Sequence, residues 1–277
     1  MALVLSRPWH VQPPYSARPT GKLANGLIGA WLPSPAGYIG VGDLNDSITT
    51  KTGSPSPIVG PYGSLAWQFA SGQYFDSSSN VSAPALAGQF SWAGWVKFAA
   101  SPVAYGMILT REGGAGTAFE IGTDGSGGSA RKPYFFAGAG GILVPSTAVG
   151  AEEWHLWHVT VNPSALQYVW YLDGRPDGSG ASASTLTAAG AWHVNRRVSG
   201  TYASNHAIGP MYAWNRATTA QEAQQLFSDP YALFEPRRIW VPVSAGGSTT
   251  YTLSAPTYVP GSITSTGLTA RVTVTAA

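Results

Sequence analysis

The sequence contains no cysteine, which excludes disulfides, thiolate metal sites and cysteine nucleophiles. Charge is scarce as well: 10% of the 277 residues are charged, and the formal net charge is +2. That balance does not point to nucleic acid without a concentrated basic patch, and Arg196-Arg197 and Arg237-Arg238 are isolated pairs. Pairs of this size are usually solvated or paired with local acids. No apolar run approaches the roughly 18 residues of a membrane span. The opening "MALVLSRPWHVQPPYSARPTGK" lacks the charged n-region and long apolar core of a secretory signal. It predicts synthesis in a cytoplasm, with release by another route, such as lysis, for any work outside the cell.

What the chain has instead is turn formers and rings. It carries 34 glycines, 21 prolines and 12% aromatic residues, enough apolar area to fill a core despite the low charge. A surface so poor in charge is prone to self-association unless partner chains occupy it.

The densest aromatic stretch is "EEWHLWHVTVNPSALQYVWYLDGRPDG", residues 152–178. In a strand, Trp157, Val159 and Val161 share one face, and Leu156, His158 and Thr160 share the other. Asn162-Pro163-Ser164 is a turn cluster, and the second apolar run, Leu166–Leu172, ends at Asp173-Gly174, a tight-turn signal. The stretch reads as an antiparallel hairpin whose indoles fill a half-buried sheet. Catalysis fits it less well. Glu152 and Glu153 are adjacent and face apart, whereas a glycosidase needs facing carboxyl groups roughly 5–9 Å apart. His155 and His158 also face apart, and His10, His193 and His206 are scattered. "GTDGSGGSARK" matches neither a nucleophile elbow nor a phosphate loop.

Along the chain, residues 1–22 read as an extended arm, 23–244 as the main domain and 245–277 as a linker and β-rich tail. "SLAWQF" (64–69) and "QYFD" (73–76) suggest a hairpin around Ala70-Ser71-Gly72. "QFSWAGWVKFA" places Phe90, Trp92, Gly94, Val96 and Phe98 on one face, with Trp95 and Lys97 on the other. One helix stands out over residues 219–228. Thr219 precedes Glu222 at capping-box spacing, Ala220, Ala223, Leu226 and Phe227 form an apolar stripe, and Pro230 stops the element. The remainder is strand and turn, which predicts an all-β, two-sheet antiparallel sandwich. The tail, with Arg271 its one charge, is too small to hold a core alone and is expected to pair its strands with the main domain or another subunit.

Several phrases in order resemble the laminin-G-like, concanavalin A-like jelly-roll domains: "GLIGAWL", "YGSLAWQFASGQYFD", "FSWAGWVKF", "EEWHLWHVTV", "LQYVWYLDGR" and "AIGPMYAWNRATTAQEAQQLF". The resemblance covers about residues 25–230. "LSRPWHVQPP", "FSDPYALFEPRRIWVPVS" and the final "YTLSAPTYVPGSITSTGLTARVTV" are similar to segments of structural proteins of tailed bacteriophages and prophages. The resemblance implies a jelly roll that binds glycans or decorates surfaces. Related glucanases carry a Glu-x-Asp-x-x-Glu strand motif, which is absent here, so the expectation is a protein without enzyme activity and without a cofactor.

Two functional expectations follow. The first is a virion structural protein, a head decoration or fibre component, anchored through Trp9, Arg237, Arg238, Trp240 and Arg271. Its partners would be other phage structural proteins and copies of itself, a trimer being the form that suits phage appendages. The second is a carbohydrate-binding receptor-recognition module of the phage tail, reading a host surface glycan. Stacking on sugar rings would use Tyr105, Tyr134, Trp192 and Tyr202, which the sequence does not separate from ordinary packing. Laminin-G domains often hold calcium, and the resemblance nominates Asp43, Asp46 and Asp76, although carboxylates are sparse. Nucleic acid and membrane are not expected partners.

Overall fold

The fold comes from a computed structural model, which describes residues 2–5, 19, 21–41, 47–77, 88–103, 105–113, 116–124, 131–136, 142–182, 190–197, 203–234, 239–242, 248–254 and 269–275. The chain forms two compact units. The larger is Trp9–Glu235, and the smaller joins Met1–Pro8 to Pro236–Ala277.

The strand β1 (Ala2–Leu5) belongs to the smaller unit. In the larger unit a one-turn helix α1 (Gly21–Ala24) leads into β2 (Leu27–Ser34), β3 (Gly37–Gly40) and β4 (Ile48–Thr52). Next come β5 (Ser56–Val59), β6 (Leu65–Gln68), β7 (Tyr74–Ser77) and β8 (Phe90–Lys97). Then follow β9 (Met107–Gly113), β10 (Gly116–Thr123), β11 (Pro133–Phe136) and β12 (Ile142–Leu143). The unit is completed by β13 (Trp154–Asn162), β14 (Gln167–Leu172), β15 (Arg175–Gly180), β16 (Ala191–Val194), β17 (Ala207–Trp214) and helix α2 (Ala220–Ser228).

These strands pair antiparallel in one ribbon, ordered β12-β11-β10-β9-β16-β7-β4-β3-β2-β17-β8-β13-β14-β15, with β6 added to β17 and β5 to β6. The ribbon folds over on itself. Trp31 of β2 meets Trp192 of β16 with ring centroids 4.5 Å apart, and Phe90 of β8 stacks on Phe135 of β11 at 5.8 Å. Strands distant in the ribbon therefore share one dry layer, as in the expected jelly-roll sandwich. Trp31, Trp92, Trp157, Trp170 and Trp192 are all fully buried in it.

Glycine makes room for some of these rings. A Cβ at Gly94 would lie 2.4 Å from the Trp92 ring, and one at Gly29 would lie 2.1 Å from the Trp31 ring. Each indole lies flat over the glycine two residues away on its own strand, and a side chain there would displace it.

β8, β13 and β17 are dry on both faces. The phase seen in the sequence holds: Trp157, Val159 and Val161 enter the inner layer, while Leu156 joins Ala93, Trp95, Tyr212 and Trp214 in a second one. Helix α2 and Tyr231–Phe234 supply the other side of this second layer through Leu226, Tyr231 and Leu233. His158 is fully buried there, its Nε2 2.5 Å from Thr218 Oγ1 and its ring stacked on Trp214.

The hairpin of β13 and β14 forms with Trp157 opposite Leu172, and Asp173 (φ 50°) and Gly174 (φ 75°) make the next turn. Thr219 caps α2, accepting from the Glu222 N–H while the Glu222 carboxylate accepts from the Thr219 N–H at 2.8 Å. The apolar stripe begins one turn later than expected: Ala223 and Leu226 are buried, whereas Ala220, in the exposed first turn, is not. The hairpin expected over residues 64–76 does not form. β6 pairs with β5 and β17, whereas β7 pairs with β4 and β16, so the Ala70–Gln73 turn carries the chain between different partners.

In the smaller unit β1 pairs with β18 (Ile239–Pro242), Val4 standing opposite Trp240. β19 (Ser248–Ser254) and β20 (Thr269–Thr275) pair with each other, Thr252 opposite Arg271. Trp240 and Arg271 thus lie on paired strands, and Trp9, Arg237 and Arg238 lie outside the described residues. Among the described residues no helix is long and apolar enough to cross a membrane.

Candidate functional site

Strand alternation decides which side chains leave the core. On β10 Ile121 points inward and Glu120 outward; on β11 Phe135 points inward, and Tyr134 and Phe136 outward. The cross-strand register then aligns a row on the outer face. Phe136 faces Glu120, Glu120 faces Thr110, Thr110 faces His193, His193 faces Asp76, and Asp76 faces Thr50. Glu112, two residues along β9 from Thr110, is a diagonal neighbour of Glu120.

Two arginines serve this row. Arg197 Nε donates to Glu120 Oε1 at 2.8 Å and lies 3.4 Å from Glu112 Oε1. Arg196 donates to Asp76 Oδ2 at 3.1 Å, while Asp76 Oδ1 is 2.7 Å from His193 Nδ1. The arginine pair is thus neither left to solvent nor paired with local acids, the outcomes expected from the sequence; its partners are acids far away in the chain. Asn195 aims the loop. It takes the left-handed conformation (φ 64°), its amide donates to the Gln73 and Ser204 carbonyls, and its Oδ1 accepts from the Ser204 N–H at 3.0 Å. Asparagine tolerates this backbone region better than most residues.

At one end of the row a cleft of about 280 Å³ opens, lined by Tyr105, Met107, Glu120, Tyr134, Phe136, Ile142 and Arg197. Tyr105 is 41% exposed at its rim, and its ring centroid is 6.0 Å from that of Tyr134. Tyr134 is nearly buried and donates its hydroxyl to Glu120 Oε2 at 3.1 Å. Burial, reinforced by the Glu120 charge, pushes the Tyr134 phenol above its ordinary range, so it remains a donor. Gly122 stands opposite Tyr134, and a Cβ there would come 2.6 Å from the ring. That glycine lets the phenol lie across the sheet.

Of the aromatics nominated from the sequence, Tyr105 and Tyr134 come together here. Trp192 does not: it is fully buried in the inner layer, with Arg111 Cζ 5.2 Å from its ring, and cannot stack on a ligand. The reason is phase, since His193 takes the outward position on β16 and its neighbour must turn in. Tyr202 lies outside the described residues, as do Asp43 and Asp46. Both carboxylate oxygens of Asp76 are engaged by His193 and Arg196, which fits a calcium ligand poorly. Among the described residues no group of three His, Cys, Asp or Glu could hold a metal ion.

In the sequence Arg197 stands out only as half of an isolated basic pair, and Glu112 and Glu120 are not among the candidate site residues. One signal was present: "TAFEIGT" sets an acid between Phe119 and Ile121, in a strand with little other charge. Chemically the cleft offers an aromatic face, apolar side chains and a fixed cluster of carboxylates, guanidinium and phenol. Glu112 and Glu120 share the Arg197 guanidinium, and Glu120 also accepts from the Tyr134 hydroxyl.

A family model described as the concanavalin A-like lectin/glucanases superfamily matches residues 69–224. No curated protein sequence matches significantly. Among solved structures, the binding domain of Paraclostridial Mosquitocidal Protein 1 is similar with a TM-score of 0.58 and 12% identity, over 84% of this chain and 59% of that one. Botulinum neurotoxin type C, described as interacting with two ganglioside molecules, gives 0.55 and 10%, over 74% and 51%. The binding domain of botulinum neurotoxin DC, in complex with rat synaptotagmin II, gives 0.55 and 11% over the same shares. This chain thus spans between half and three-fifths of those structures, and the likeness is one of fold. With a folded-over antiparallel ribbon, an inner aromatic layer and a family match across most of the larger unit, the chain belongs to the concanavalin A-like lectin/glucanases superfamily.

Proposed function

We propose that this chain binds glycans through the Tyr105–Arg197 cleft and does so without catalysis. The observation that carries the reading is the half-exposed Tyr105 ring at the rim of a cleft whose wall is a fixed Tyr134–Glu120–Arg197 hydrogen-bonded cluster. An aromatic face takes the apolar side of a pyranose, and a few oriented polar groups select its hydroxyls. The similar toxin structures support a binding role, one being described with gangliosides and another with a protein receptor. Against catalysis stands the lining of the cleft, in which Glu120 is the one carboxylate among the described residues, whereas a glycosidase sets two across the scissile bond. A glycan array probed with the full chain at high concentration, followed by calorimetric titration of the hits, tests the reading. Silence across host-surface sugars overturns it.

A second reading, a structural component of a tailed-phage virion, is favoured by a different observation. Ala2–Leu5 pairs with Ile239–Pro242, so both ends of the chain build a unit of their own, suited to anchoring. In this reading the protein sits in the virion as an oligomer among other structural proteins, and the sandwich is the part that meets the host. Any stabilisation gained on assembly depends on concentration. Antibody labelling of intact particles and light scattering of the purified chain test it. A monomer that labels no particle and binds no capsid or tail component removes it.

A further inference from the structure

We infer that the cleft selects a sugar residue carrying a methyl group, an acetamido or 6-deoxy sugar, over one that carries hydroxyls alone. The inference rests on the glycan-binding reading and names its ligand class. Among the described residues six large apolar side chains are exposed: Val59, Tyr62, Val103, Tyr105, Ile142 and Leu166. Three of them belong to this cleft or its rim. Tyr105 and Ile142 line it, and Val103 shares the turn of Tyr105, closed by the Gly106 N–H on the Val103 carbonyl at 3.1 Å. A single exposed apolar residue is ordinary, whereas a cluster at a concave site points to a ligand.

Strand register builds the apolar wall. Leu143 of β12 enters the core, so Ile142 turns outward, 50% exposed, and stands opposite Phe136 of β11. Met107, itself buried, lies beneath, its Sδ 3.8 Å from the Tyr134 hydroxyl. Tyr105 is held at φ 56°, a backbone region that few bulky residues adopt, with its N–H donating to the Thr123 carbonyl at 3.0 Å. Strain of this kind persists where a binding site uses it. A pyranose bearing only hydroxyls has one apolar patch on its ring, and Tyr105 covers it. Pressed against Ile142, Phe136 and Met107, its hydroxyls would lose water and gain no partner there. A methyl group meets the same wall favourably, since its burial releases water at no polar cost. At about 280 Å³ the cleft is small beside the roughly 300–1,000 Å³ of small-molecule sites, which suits one sugar residue with its substituent.

The test is calorimetric titration of the full chain with matched pairs. Chitotriose against cellotriose and N-acetylgalactosamine against galactose read the acetamido group, and L-fucose against L-galactose reads the 6-deoxy group. In at least one pair the methyl-bearing member is expected to bind about tenfold more tightly, and the pair that responds names the substituent. Ile142→Ser should narrow that ratio to about threefold or less, whereas Ile142→Val should keep most of it. Ile142 is half-exposed on an edge strand, and thermal melts confirm that both variants are folded. Equal binding within every pair, or tighter binding of the hydroxyl-only members, overturns the inference and leaves glycan binding standing. So does a preference that Ile142→Ser leaves unchanged. Silence on every one of these sugars also overturns it, and a glycan array that is silent as well removes the glycan-binding reading with it.

Discussion

Arg197 Nε stands 2.8 Å from the Glu120 carboxylate and 3.4 Å from that of Glu112, so one cation from the loop after β16 ties β9 to β10. Removing it leaves two buried carboxylates side by side. Arg197→Ala is expected to destabilise the larger unit by about 2–3 kcal/mol, below the range for a fully buried pair because Arg197 is 35% exposed. Adding Glu120→Gln to that variant should restore part of the loss, since the two neighbouring carboxylates then no longer repel one another. Urea unfolding of the three proteins measures this, and unchanged stability of Arg197→Ala would sink it.

Tyr105 and Gly122 separate contact from positioning. Tyr105→Ala removes an exposed ring, so glycan affinity should fall by about 1 kcal/mol, roughly fivefold, with a melting curve close to that of the parent. Gly122→Ala adds a Cβ 2.6 Å from the Tyr134 ring and should weaken binding several-fold without touching the ligand. Titration with an array-identified sugar reads both. Full affinity in Tyr105→Ala would mean that the ligand sits elsewhere.

Acid should destabilise the protein well above the carboxylate range. Burial lowers the pKa of His158 and His206 from 6.5 to about 3, so both stay neutral in the fold while they protonate in the unfolded chain. Their contribution is complete above pH 6.5 and is lost as pH falls towards 3, each with a slope approaching about 1.4 kcal/mol per unit. His155 acts in the opposite sense. Its bond to Asp173, partly offset by burial, raises its pKa, so it adds stability at low pH that is lost as pH rises through that value. Two groups outweigh one, and denaturation at pH 7, 6, 5 and 4 should show a decline that His206→Gln makes shallower. A level profile would contradict the burial argument.

Gly94 lies beneath the Trp92 indole, where a Cβ would meet the ring at 2.4 Å. Gly94→Ala is expected to cost about 1–3 kcal/mol, as overpacked cores do. Chemical denaturation reads this directly, and a neutral effect would show that the indole has room to move.

Much of the fold was legible because its signals are short-range. Alternation along Trp154–Asn162 separated the residues of two apolar layers, and Asp173-Gly174 and the Thr219–Glu222 capping box marked their turn and helix. The same local logic failed at Ala70–Gln73, where a turn flanked by two strands looks like a hairpin whether or not the strands pair with each other. It failed again at Trp192, whose ring could belong to a loop or a core until the direction of β16 was known.

Composition, strand period and turn chemistry by themselves determined an all-β sandwich with an aromatic interior, because each of those signals lies within a few residues of its effect. Only the tertiary structure decided that Glu112 and Glu120 share Arg197, that Tyr105 meets Tyr134, and that Asp76 is already taken. Those meetings depend on strand order and register, which join residues widely separated along the chain. No periodicity within one segment records the register of another.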